Sequence, residues 1–512
     1  MYSSHSHLNI LTALLLAHGI EEAVVCPGSR NAAIVHNLHE AGLHLHPVTD
    51  ERSAAFVAIG IALRVRRPVV VCVTSGSALL NTLPAVAEAA LRHIPLIVLS
   101  ADRPPQWIDQ LDGQTLPQVG ALQPYARTWH LPQPHDEEER WWVERLVNEA
   151  LLATAHEGGS VVHLNVPLRE PLFDYTEAQL PKVRAVCEYR TEGQRAIPTN
   201  LLAEIEASRL LVVYVGERTE ALPVEWLHLQ ATGKALLYAE CLSQADDTTV
   251  AHALDADDVR PDMVLHVGGA SVSKHFKLFL RRCADCKVVR IDEEAQLHDT
   301  FMHLSAHLIA PLQAVARQLD EMLSPKLAVQ NFLALHKFSA PTPLPQDLEA
   351  IFVGNSSMVR WANRHFAQCT LPIFGNRGTN GIEGSLSVAA GYSLVSQHKV
   401  LCLLGDLSFF YDANALWNER LDGRLRILMV NNAGGAIFDH IAGIGQSPAY
   451  AACIKAEHRA TAVGIAQSYG CTYRALHVER FADEATALID QLLAVESQRP
   501  VIFEVFIPNS LL

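Results

Sequence analysis

Short runs of β-branched and apolar residues, each followed by a longer segment rich in alanine and leucine, constrain the fold of this 512-residue chain most strongly. Such runs are typical of parallel strands whose sheet is covered by helices on both faces. They form three stretches, so the sequence predicts an α/β protein with three doubly wound domains. The predicted strands lie in EEAVVCPGS, RPVVVCVTSG, IPLIVLSADR and GSVVHLNVP, then in LLVVYVGE, ALLYAECLS, MVLHVGG and KVVRID, and finally in IFVGNSS, KVLCLLGD, RILMVNNAGG and VIFEVFIP.

Two polar segments that contain proline separate these stretches and are predicted to be linkers. They are TEGQRAIPTN at 191–200 and SAPTPLPQ at 339–346. We therefore expect domain boundaries close to these segments. The predicted domains are residues 1–180, 181–323 and 324–512.

The first and third stretches resemble each other in sequence. VAIGIAL at 57–63 matches VAAGYSL at 388–394, and in each case a buried strand and a small polar turn follow. The separation from Gly76 to Asp102 is 26 residues, and the separation from Asp406 to Asn432 is also 26. We interpret the similarity as an ancient duplication, with the alternative that any two doubly wound units share such features.

Composition restricts the classes of partner and compartment. The formal net charge of -15 argues against broad attraction to nucleic acid or to an anionic membrane surface. Ten cysteines without a repeating framework favour a reducing, cytoplasmic environment. The first twenty residues lack a basic segment and a cleavage site, so we predict an amphipathic helix rather than an export signal. Every apolar run is too short to span a bilayer.

Two patterns that could bind transition metals have simpler explanations. Cys283 and Cys286 form a lone Cys-x-x-Cys, which is more often a pair of turn cysteines than a metal or redox site. Histidines recur from His36 to His46, but no cysteine or carboxylate cluster completes a site in the sequence. We expect neither pattern to be functional.

Polar residues follow two of the predicted strands in the third stretch. GDLS lies at 405–408 and NNAGG at 431–435. Ligands of open parallel sheets bind at the carboxyl ends of strands, and Mg²⁺ prefers oxygen ligands. We predict a metal site formed by Asp406, Asn432 and the carbonyl of Gly434. The alternative is that Asp406 only caps a helix beginning at Leu407 while Asn432 lies in a turn.

The pair of loops resembles the diphosphate-binding motif of thiamine-diphosphate enzymes. Five further motifs resemble, in order, those of the 2-succinyl-5-enolpyruvyl-6-hydroxy-3-cyclohexene-1-carboxylate (SEPHCHC) synthases of menaquinone biosynthesis. The resemblance implies a pyrimidine-binding first domain, a central domain, and a third domain that binds the diphosphate and the metal. The five motifs are PGSR at 27–30, TSGSALLN at 74–81, SADRPPQWID at 100–109, GNSSMVR at 354–360 and GNRGTNGIEG at 375–384.

This resemblance implies a reaction, cofactors and an assembly. The reaction is the decarboxylation of 2-oxoglutarate followed by 1,4-addition of the succinyl carbanion equivalent to isochorismate. The cofactors are thiamine diphosphate and Mg²⁺ or Mn²⁺. The expected assembly is a homodimer, or a dimer of dimers, in which two subunits share each active site. A folded monomer is expected to be inactive.

The resemblance also implies a set of residues that contact the cofactor. Glu51, in VTDERSAAF, would contact the aminopyrimidine ring, although an acid in a first helical turn is on its own more often a capping or dipole residue. Ile437 would support the bent form of the cofactor. The remaining implied cofactor-binding residues are Pro27, Gly76, Ser77, Asn81, Asp406, Leu407, Ser408, Asn432, Gly434 and Phe438.

Both implied substrates are dicarboxylates, and arginine suits the bidentate binding of carboxylates. The resemblance assigns the distal carboxylate of 2-oxoglutarate to Ser356, Arg360 and Arg377. It assigns isochorismate to Ser29, Arg30, Arg103, Gln114 and Lys274. Two features depart from the family pattern: His275 follows the lysine where arginine is usual, and the loop before Gln114 reads LDGQ. Any one of these arginines alone would be better explained as a surface ion pair.

Two other functions are compatible with the same fold. One is a different 2-oxo acid decarboxylase or carboligase, such as a relative of acetohydroxyacid synthase. Such relatives often bind flavin or a nucleotide in the middle domain, where we find no convincing Gly-x-Gly-x-x-Gly. The other is a non-catalytic binding protein. Retention of Glu51 together with Asp406 and Asn432 argues against it.

Overall fold

The computed structural model describes residues 1–155, 159–188, 197–246, 250–251, 253–254, 259–294, 296–336, 347–367 and 369–508. The chain forms two compact units. The larger unit is Met1–Tyr189 with Asn376–Leu512, and the smaller is Arg190–Gly375. The predicted linker at 339–346 and the first six residues of the one at 191–200 lie outside the described residues.

The strands form three parallel sheets, and this confirms the predicted α/β class. The first sheet has the order β2-β1-β3-β4-β6-β5, with β1 Glu22–Val25, β2 His44–Pro47, β3 Val69–Val73, β4 Leu96–Asp102, β5 Arg127–His130 and β6 Val161–Pro167. The second has the order β11-β10-β9-β7-β8, with β7 Leu211–Val215, β8 Leu236–Ala239, β9 Met263–Val267, β10 Lys287–Asp292 and β11 Leu304–Ile309. The third has the order β13-β12-β14-β15-β17-β16, with β12 Leu348–Val353, β13 Ile373–Gly375, β14 Lys399–Gly405, β15 Leu425–Asn431, β16 Thr472–His477 and β17 Val501–Phe506.

The first and third sheets have the same topology. Numbered within each sheet along the chain, both have the strand order 2-1-3-4-6-5. In the first sheet β3, β4 and β6 are buried along their whole length, as expected for strands covered on both faces. The shared order supports the interpretation of a duplication.

Helices connect the strands throughout. Those of the first part are Ser6–Ala17, Ala32–Glu40, Glu51–Val65, Ser77–Asn81, Leu83–Leu91 and Glu137–Ala153. Those of the middle part are Thr199–Ala207, Val224–Ala231, Lys274–Leu280, Leu312–Met322 and Leu327–Leu335. Those of the last part are Ser357–His365, Ser385–Val395, Asp406–Tyr411, Val463–Ser468 and Phe481–Ala494.

The N-terminal helix differs from the prediction in its surroundings. It spans Ser6–Ala17 as a helix, but every residue from 7 to 15 is buried. The expectation of an amphipathic helix was therefore wrong, because Leu8, Leu11 and Leu15 belong to the core of the first sheet. No helix among the described residues is long and apolar enough to cross a membrane.

Two helices of the larger unit cross at a pair of glycines. A Cβ on Gly60 would lie 2.0 Å from the carbonyl oxygen of Val388, and a Cβ on Gly391 would lie 2.0 Å from that of Val57. Only glycine permits backbones to approach so closely. The helix that begins at Glu51 is thereby held against the helix Ser385–Val395.

Candidate cofactor and substrate site

Asp406 lies where β14 ends and the helix Asp406–Tyr411 begins. Its Oδ1 accepts a hydrogen bond from the backbone N–H of Leu407 at 2.7 Å, as a helix-terminal acid would. Its Oδ2 accepts one from the backbone N–H of Gly434 at 3.0 Å, and the backbone N–H of Asn432 also bonds to the carboxylate. Helix capping therefore explains the hydrogen bond of only one carboxylate oxygen, Oδ1. The other connects the ends of two neighbouring strands.

Asn432 and Gly434 form the turn that follows β15. Asn432 is buried, and its side chain has no hydrogen-bonding partner within the described part of the chain. Ala433 and Gly434 both have positive φ, 61° and 146°, so the turn is tight. One carboxylate, one unpartnered amide and one backbone carbonyl are the oxygen ligands that suit Mg²⁺. The structure thus brings together the three predicted metal ligands, and their chemistry fits a divalent cation.

The electrostatics of Asp406 favour a bound cation. Burial raises the pKa of this carboxyl above its ordinary value, although the hydrogen bonds from Leu407 and Gly434 oppose the rise. His458 Nε2 lies 3.2 Å from Asp406 Oδ2, at an angle that does not make a hydrogen bond. His458 cannot be recognised from the sequence, because only the return of the chain from β15 places it there. A metal ion would stabilise the ionised carboxylate in this buried position.

Glu51 is the first residue of the helix Glu51–Val65, but it is not the residue that caps the helix. Asp50 is the N-cap, and its Oδ1 accepts hydrogen bonds from the backbone N–H groups of Arg52 and Ser53. The capping explanation for Glu51 therefore does not hold. The half-buried Glu51 side chain accepts a hydrogen bond from Asn81 Nδ2 at 3.4 Å. Two predicted cofactor residues from different motifs thus lie in contact.

Cys26, immediately before Pro27, lies near the same glutamate. Burial raises the pKa of the Cys26 thiol, and the negative charge of Glu51 raises it further. Pro27 and Ser29 are exposed at the end of β1. The motif PGSR therefore begins beside Glu51.

The turn after β3 depends on Gly76, whose φ is 83°. Its backbone N–H donates to Gln118 Oε1 at 2.8 Å, and a Cβ on it would lie 3.2 Å from the carbonyl oxygen of Gln114. The loop with Gln114 is thus adjacent to the predicted cofactor turn, whose Ser77 is exposed. Gln118 was not among the residues predicted from the sequence.

The Gln118 side chain is part of a buried network of hydrogen bonds. Its Nε2 donates to Asn165 Oδ1 at 2.7 Å and to the carbonyl oxygen of Ala101 at 3.1 Å. Asn165 Nδ2 donates in turn to Asp102 Oδ2 at 2.8 Å. The network links the turn at Gly76 to the strand end that carries the next predicted arginine. Such satisfied networks specify one arrangement of the groups they join.

The positive charge of one predicted substrate arginine, Arg103, acts on another, Arg30. Burial lowers the pKa of Arg30, and the positive charge of Arg103 lowers it further. Arg30 Nη1 donates to the carbonyl oxygen of Leu168 at 3.0 Å, and Arg103 Nη1 lies 3.1 Å from Asp112 Oδ2. Arg103 Nε is buried without a hydrogen-bonding partner among the described residues. A guanidinium group with a spare donor, as in Arg103, suits an anionic ligand.

Further predicted residues occupy the loops expected for them. Leu407 and Ser408 lie in the first turn after Asp406, the former half-buried and the latter buried. Ile437 and Phe438 are half-buried in the 3₁₀ helix Ala436–His440, directly after the metal turn.

The remaining predicted substrate residues belong to different units. Lys274 is exposed at the start of Lys274–Leu280, and Ser273 caps that helix. Ser356 has a φ of 70°, and its carbonyl oxygen accepts a hydrogen bond from Arg360 Nη1 at 2.7 Å. Lys274, Ser356 and Arg360 lie in the smaller unit, whereas Arg377 lies in the larger one.

The histidine and cysteine patterns form no metal site in the described part of the chain. His44 Nδ1 lies 3.0 Å from Glu22 Oε1, and His46 Nε2 lies 2.6 Å from Glu22 Oε2. Both histidines therefore form hydrogen bonds with one carboxylate. Cys283 and Cys286 are buried in a turn, and burial raises the pKa of Cys286 to about 12.

Comparisons with known proteins agree with this geometry. Residues 7–124 match the N-terminal thiamine pyrophosphate (TPP) binding domain of TPP enzymes, and residues 353–505 match the C-terminal one. The crystal structure of benzoylformate decarboxylase from Polynucleobacter necessarius is similar, with a TM-score of 0.75 over 100% of both chains. At 15% identity, this likeness shows the fold alone.

Relatives in sequence are more specific. A 2-succinyl-5-enolpyruvyl-6-hydroxy-3-cyclohexene-1-carboxylate synthase from Bacteroides thetaiotaomicron is 37% identical, covering 99% of this chain and 96% of the relative. One from Desulfotalea psychrophila is 32% identical, covering 96% and 97%. The chain therefore belongs to the family of thiamine-diphosphate-dependent SEPHCHC synthases.

Proposed function

We propose that the chain decarboxylates 2-oxoglutarate and adds the resulting succinyl carbanion equivalent to isochorismate in a 1,4 sense, giving SEPHCHC in menaquinone biosynthesis. The observation that carries the proposal is the convergence of Asp406, Asn432 and Gly434 at neighbouring strand ends. A second observation is that Asp50 caps the helix, which leaves Glu51 for chemistry.

Each part of the site has a role in this proposal. Thiamine diphosphate, when bound, supplies the carbanion chemistry, and the protein orients and tunes it. Asp406, Asn432 and the Gly434 carbonyl would hold Mg²⁺ or Mn²⁺ at the diphosphate. Glu51 would exchange a proton with the aminopyrimidine ring. Ile437 would support the ring system from the loop that follows the metal turn.

The two substrates would be bound by separate sets of cations. Ser356, Arg360 and Arg377 would hold the distal carboxylate of 2-oxoglutarate. Isochorismate would be bound by a second set of residues, namely Ser29, Arg30, Arg103, Gln114 and Lys274. The lowering of the Arg30 pKa by the positive charge of Arg103 supports the second set, because a bound anion would favour the charged form of Arg30.

We also propose that two copies of the chain share each site, in three domains bounded at 1–180, 181–323 and 324–512, and that the protein acts in the cytoplasm. Large apolar side chains are exposed beside the predicted site loops, which supports a covering partner. They are Leu80 (43% exposed), Leu91 (51%), Ile382 (38%), Tyr411 (51%) and Trp417 (50%).

Complementation between two inactive variants tests the shared site. Glu51→Gln and Asp406→Asn would each inactivate the enzyme alone. In a mixed dimer with shared sites, one site would combine the intact Glu51 of one chain with the intact Asp406 of the other. Co-expression should therefore restore about a quarter of wild-type activity under random pairing. No restoration in a purified mixed dimer would place both groups of a site in one chain.

The activity itself is tested by reconstitution. The purified protein is supplied with 2-oxoglutarate, isochorismate, thiamine diphosphate and Mg²⁺, and the product is identified by mass. We expect the mass of SEPHCHC, and loss of product when any one component is omitted. Carbon dioxide release without isochorismate, combined with no adduct in its presence, would indicate another decarboxylase instead.

A further inference from the structure

Glu88 is a fully buried acid in an otherwise apolar helix, Leu83–Leu91, with the sequence LPAVAEAAL. Its side chain accepts hydrogen bonds from one loop. Oε1 accepts from the backbone N–H of Gly378 at 3.0 Å. Oε2 accepts from the backbone N–H of Thr379 at 2.7 Å and from Thr379 Oγ1 at 2.8 Å. The carboxylate thus binds three donors on two consecutive residues.

A carboxylate at this position is costly unless it is compensated. Burying an ionised group without partners is strongly unfavourable, even after the surrounding structure relaxes. Here the three donors and Arg92, whose Nε lies 3.8 Å from Oε1, supply the compensation. An apolar residue would fill the same space without that cost. The presence of an acid at this position is therefore best explained by its hydrogen bonds to the loop with Gly378 and Thr379.

The loop approaches Glu88 so closely that only glycine fits. A Cβ on Gly378 would lie 2.8 Å from the carbonyl oxygen of Glu88 and 3.1 Å from its Oε2. Gly378 directly follows Arg377 in the motif GNRG. The backbone N–H groups immediately after the arginine are consequently fixed to a helix of the first sheet, almost three hundred positions earlier in the chain.

We propose that Glu88 is a positioning residue for Arg377. Glu88 acts by ordering the loop at 377–379. The inference rests on the proposed function, in which Arg377 binds the distal carboxylate of 2-oxoglutarate. Glu88 itself does not touch substrate in this scheme. Its loss should therefore weaken 2-oxoglutarate binding selectively, and should leave the isochorismate residues unaffected.

Glu88→Gln is the sharpest variant, because it keeps the shape and replaces one acceptor oxygen with an NH₂ group that faces backbone donors. Hydrogen bonds to a charged acceptor are stronger than those to a neutral amide oxygen. We expect the KM for 2-oxoglutarate to rise about tenfold or more, which corresponds to about 1.4 kcal/mol. The KM for isochorismate should change less than about twofold. Thr379→Val, which removes only the hydroxyl donor, should shift the same KM in the same direction by less.

Hydrogen exchange provides a readout that is independent of turnover. The peptide covering 376–384 should exchange faster in Glu88→Gln than in the wild type. Glu149→Gln, which removes an ion pair with Arg145 within one helix, is the matched control and should change neither exchange in that peptide nor either KM. If Glu88→Gln fails to fold, the same measurements are made on Thr379→Val.

The possible outcomes are distinguishable. Unchanged exchange at 376–384 would overturn the positioning role, and so would faster exchange with an unchanged KM for 2-oxoglutarate or an equal rise in both KM values. An inactive wild-type enzyme would overturn the proposed function and with it the role toward substrate, while exchange would still decide whether Glu88 orders the loop.

Discussion

The backbone N–H of Gly434 donates a hydrogen bond to Asp406 Oδ2, so the turn after β15 closes onto the acid that follows β14. The two strands are neighbours and parallel, with Gly405 paired to Val430. Ligand sites of open parallel sheets form at such adjacent strand ends. This contact turns two separate sequence motifs into one oxygen-rich site.

Asp406→Asn should abolish metal-dependent cofactor binding. The substitution removes the negative charge that a divalent cation requires and keeps the size of the side chain. We expect the affinity for thiamine diphosphate in the presence of Mg²⁺ to fall at least about 100-fold, since changes outside the ligand set already cost 10–100-fold. Calorimetric titration measures it. Asp422→Asn, which removes an ion pair with Arg424, is the control and should bind normally; equal affinity in both variants would contradict the assigned ligand.

Glu51→Gln should impair turnover much more than cofactor binding. The amide keeps the contact with Asn81 possible but cannot exchange a proton with the cofactor. General acid–base groups contribute about 10²–10⁴ in rate, so we expect kcat to fall by that factor. Thiamine diphosphate affinity should fall less than about tenfold by the same titration. Turnover at the wild-type rate would refute the role.

Gly60→Ala should destabilise the larger unit. In an open helix, replacing glycine by alanine stabilises by about 1 kcal/mol, but the Cβ at residue 60 would overlap the Val388 carbonyl. We expect the thermal midpoint to fall by several degrees, as for other overpacked contacts that cost about 1–3 kcal/mol or more. Gly464→Ala is the matched control, because nothing lies near its Cβ position in the helix Val463–Ser468. A midpoint as high as that of the control would show that the helices separate readily.

His163 should make the protein sensitive to acid. Burial lowers the pKa of His163 to about 3, so the folded protein keeps it neutral while the unfolded chain protonates it near pH 6.5. The pKa difference therefore has no effect on stability above pH 6.5, and it increasingly destabilises the folded protein as the pH falls from 6.5 toward 3. The expected slope is at most about 1.4 kcal/mol per pH unit.

The variant His163→Gln isolates this effect. Its thermal midpoint should be lower at pH 7, because hydrogen bonds to Ser100 and Thr128 are weakened, but it should decline less between pH 7 and pH 5. His44→Gln is a control of opposite sign, since the hydrogen bond to Glu22 raises the pKa of His44. Parallel pH profiles for wild type and His163→Gln would contradict the prediction.

The interior of each sheet could be predicted from the sequence, but most of its edges could not. All twelve predicted strands are present. Among the described residues, five strands were missed, and all of them lie at sheet edges: β2, β5, β11, β13 and β16. An edge strand pairs on one side only, so a segment such as Thr472–His477 keeps exposed polar residues and lacks the continuous apolar run.

The sequence by itself determined the parallel α/β class, the positions of Asp406, Asn432 and Glu51 at element ends, and the family. These follow from local patterns, because a strand, its turn and the next helix are adjacent in the chain. Only the tertiary structure decided that Asp50 rather than Glu51 caps its helix, that Glu88 binds the loop after Arg377, and that Gly434 closes on Asp406. Each depends on distances between atoms, mostly across distant parts of the chain, and packing rather than sequence spacing sets those distances.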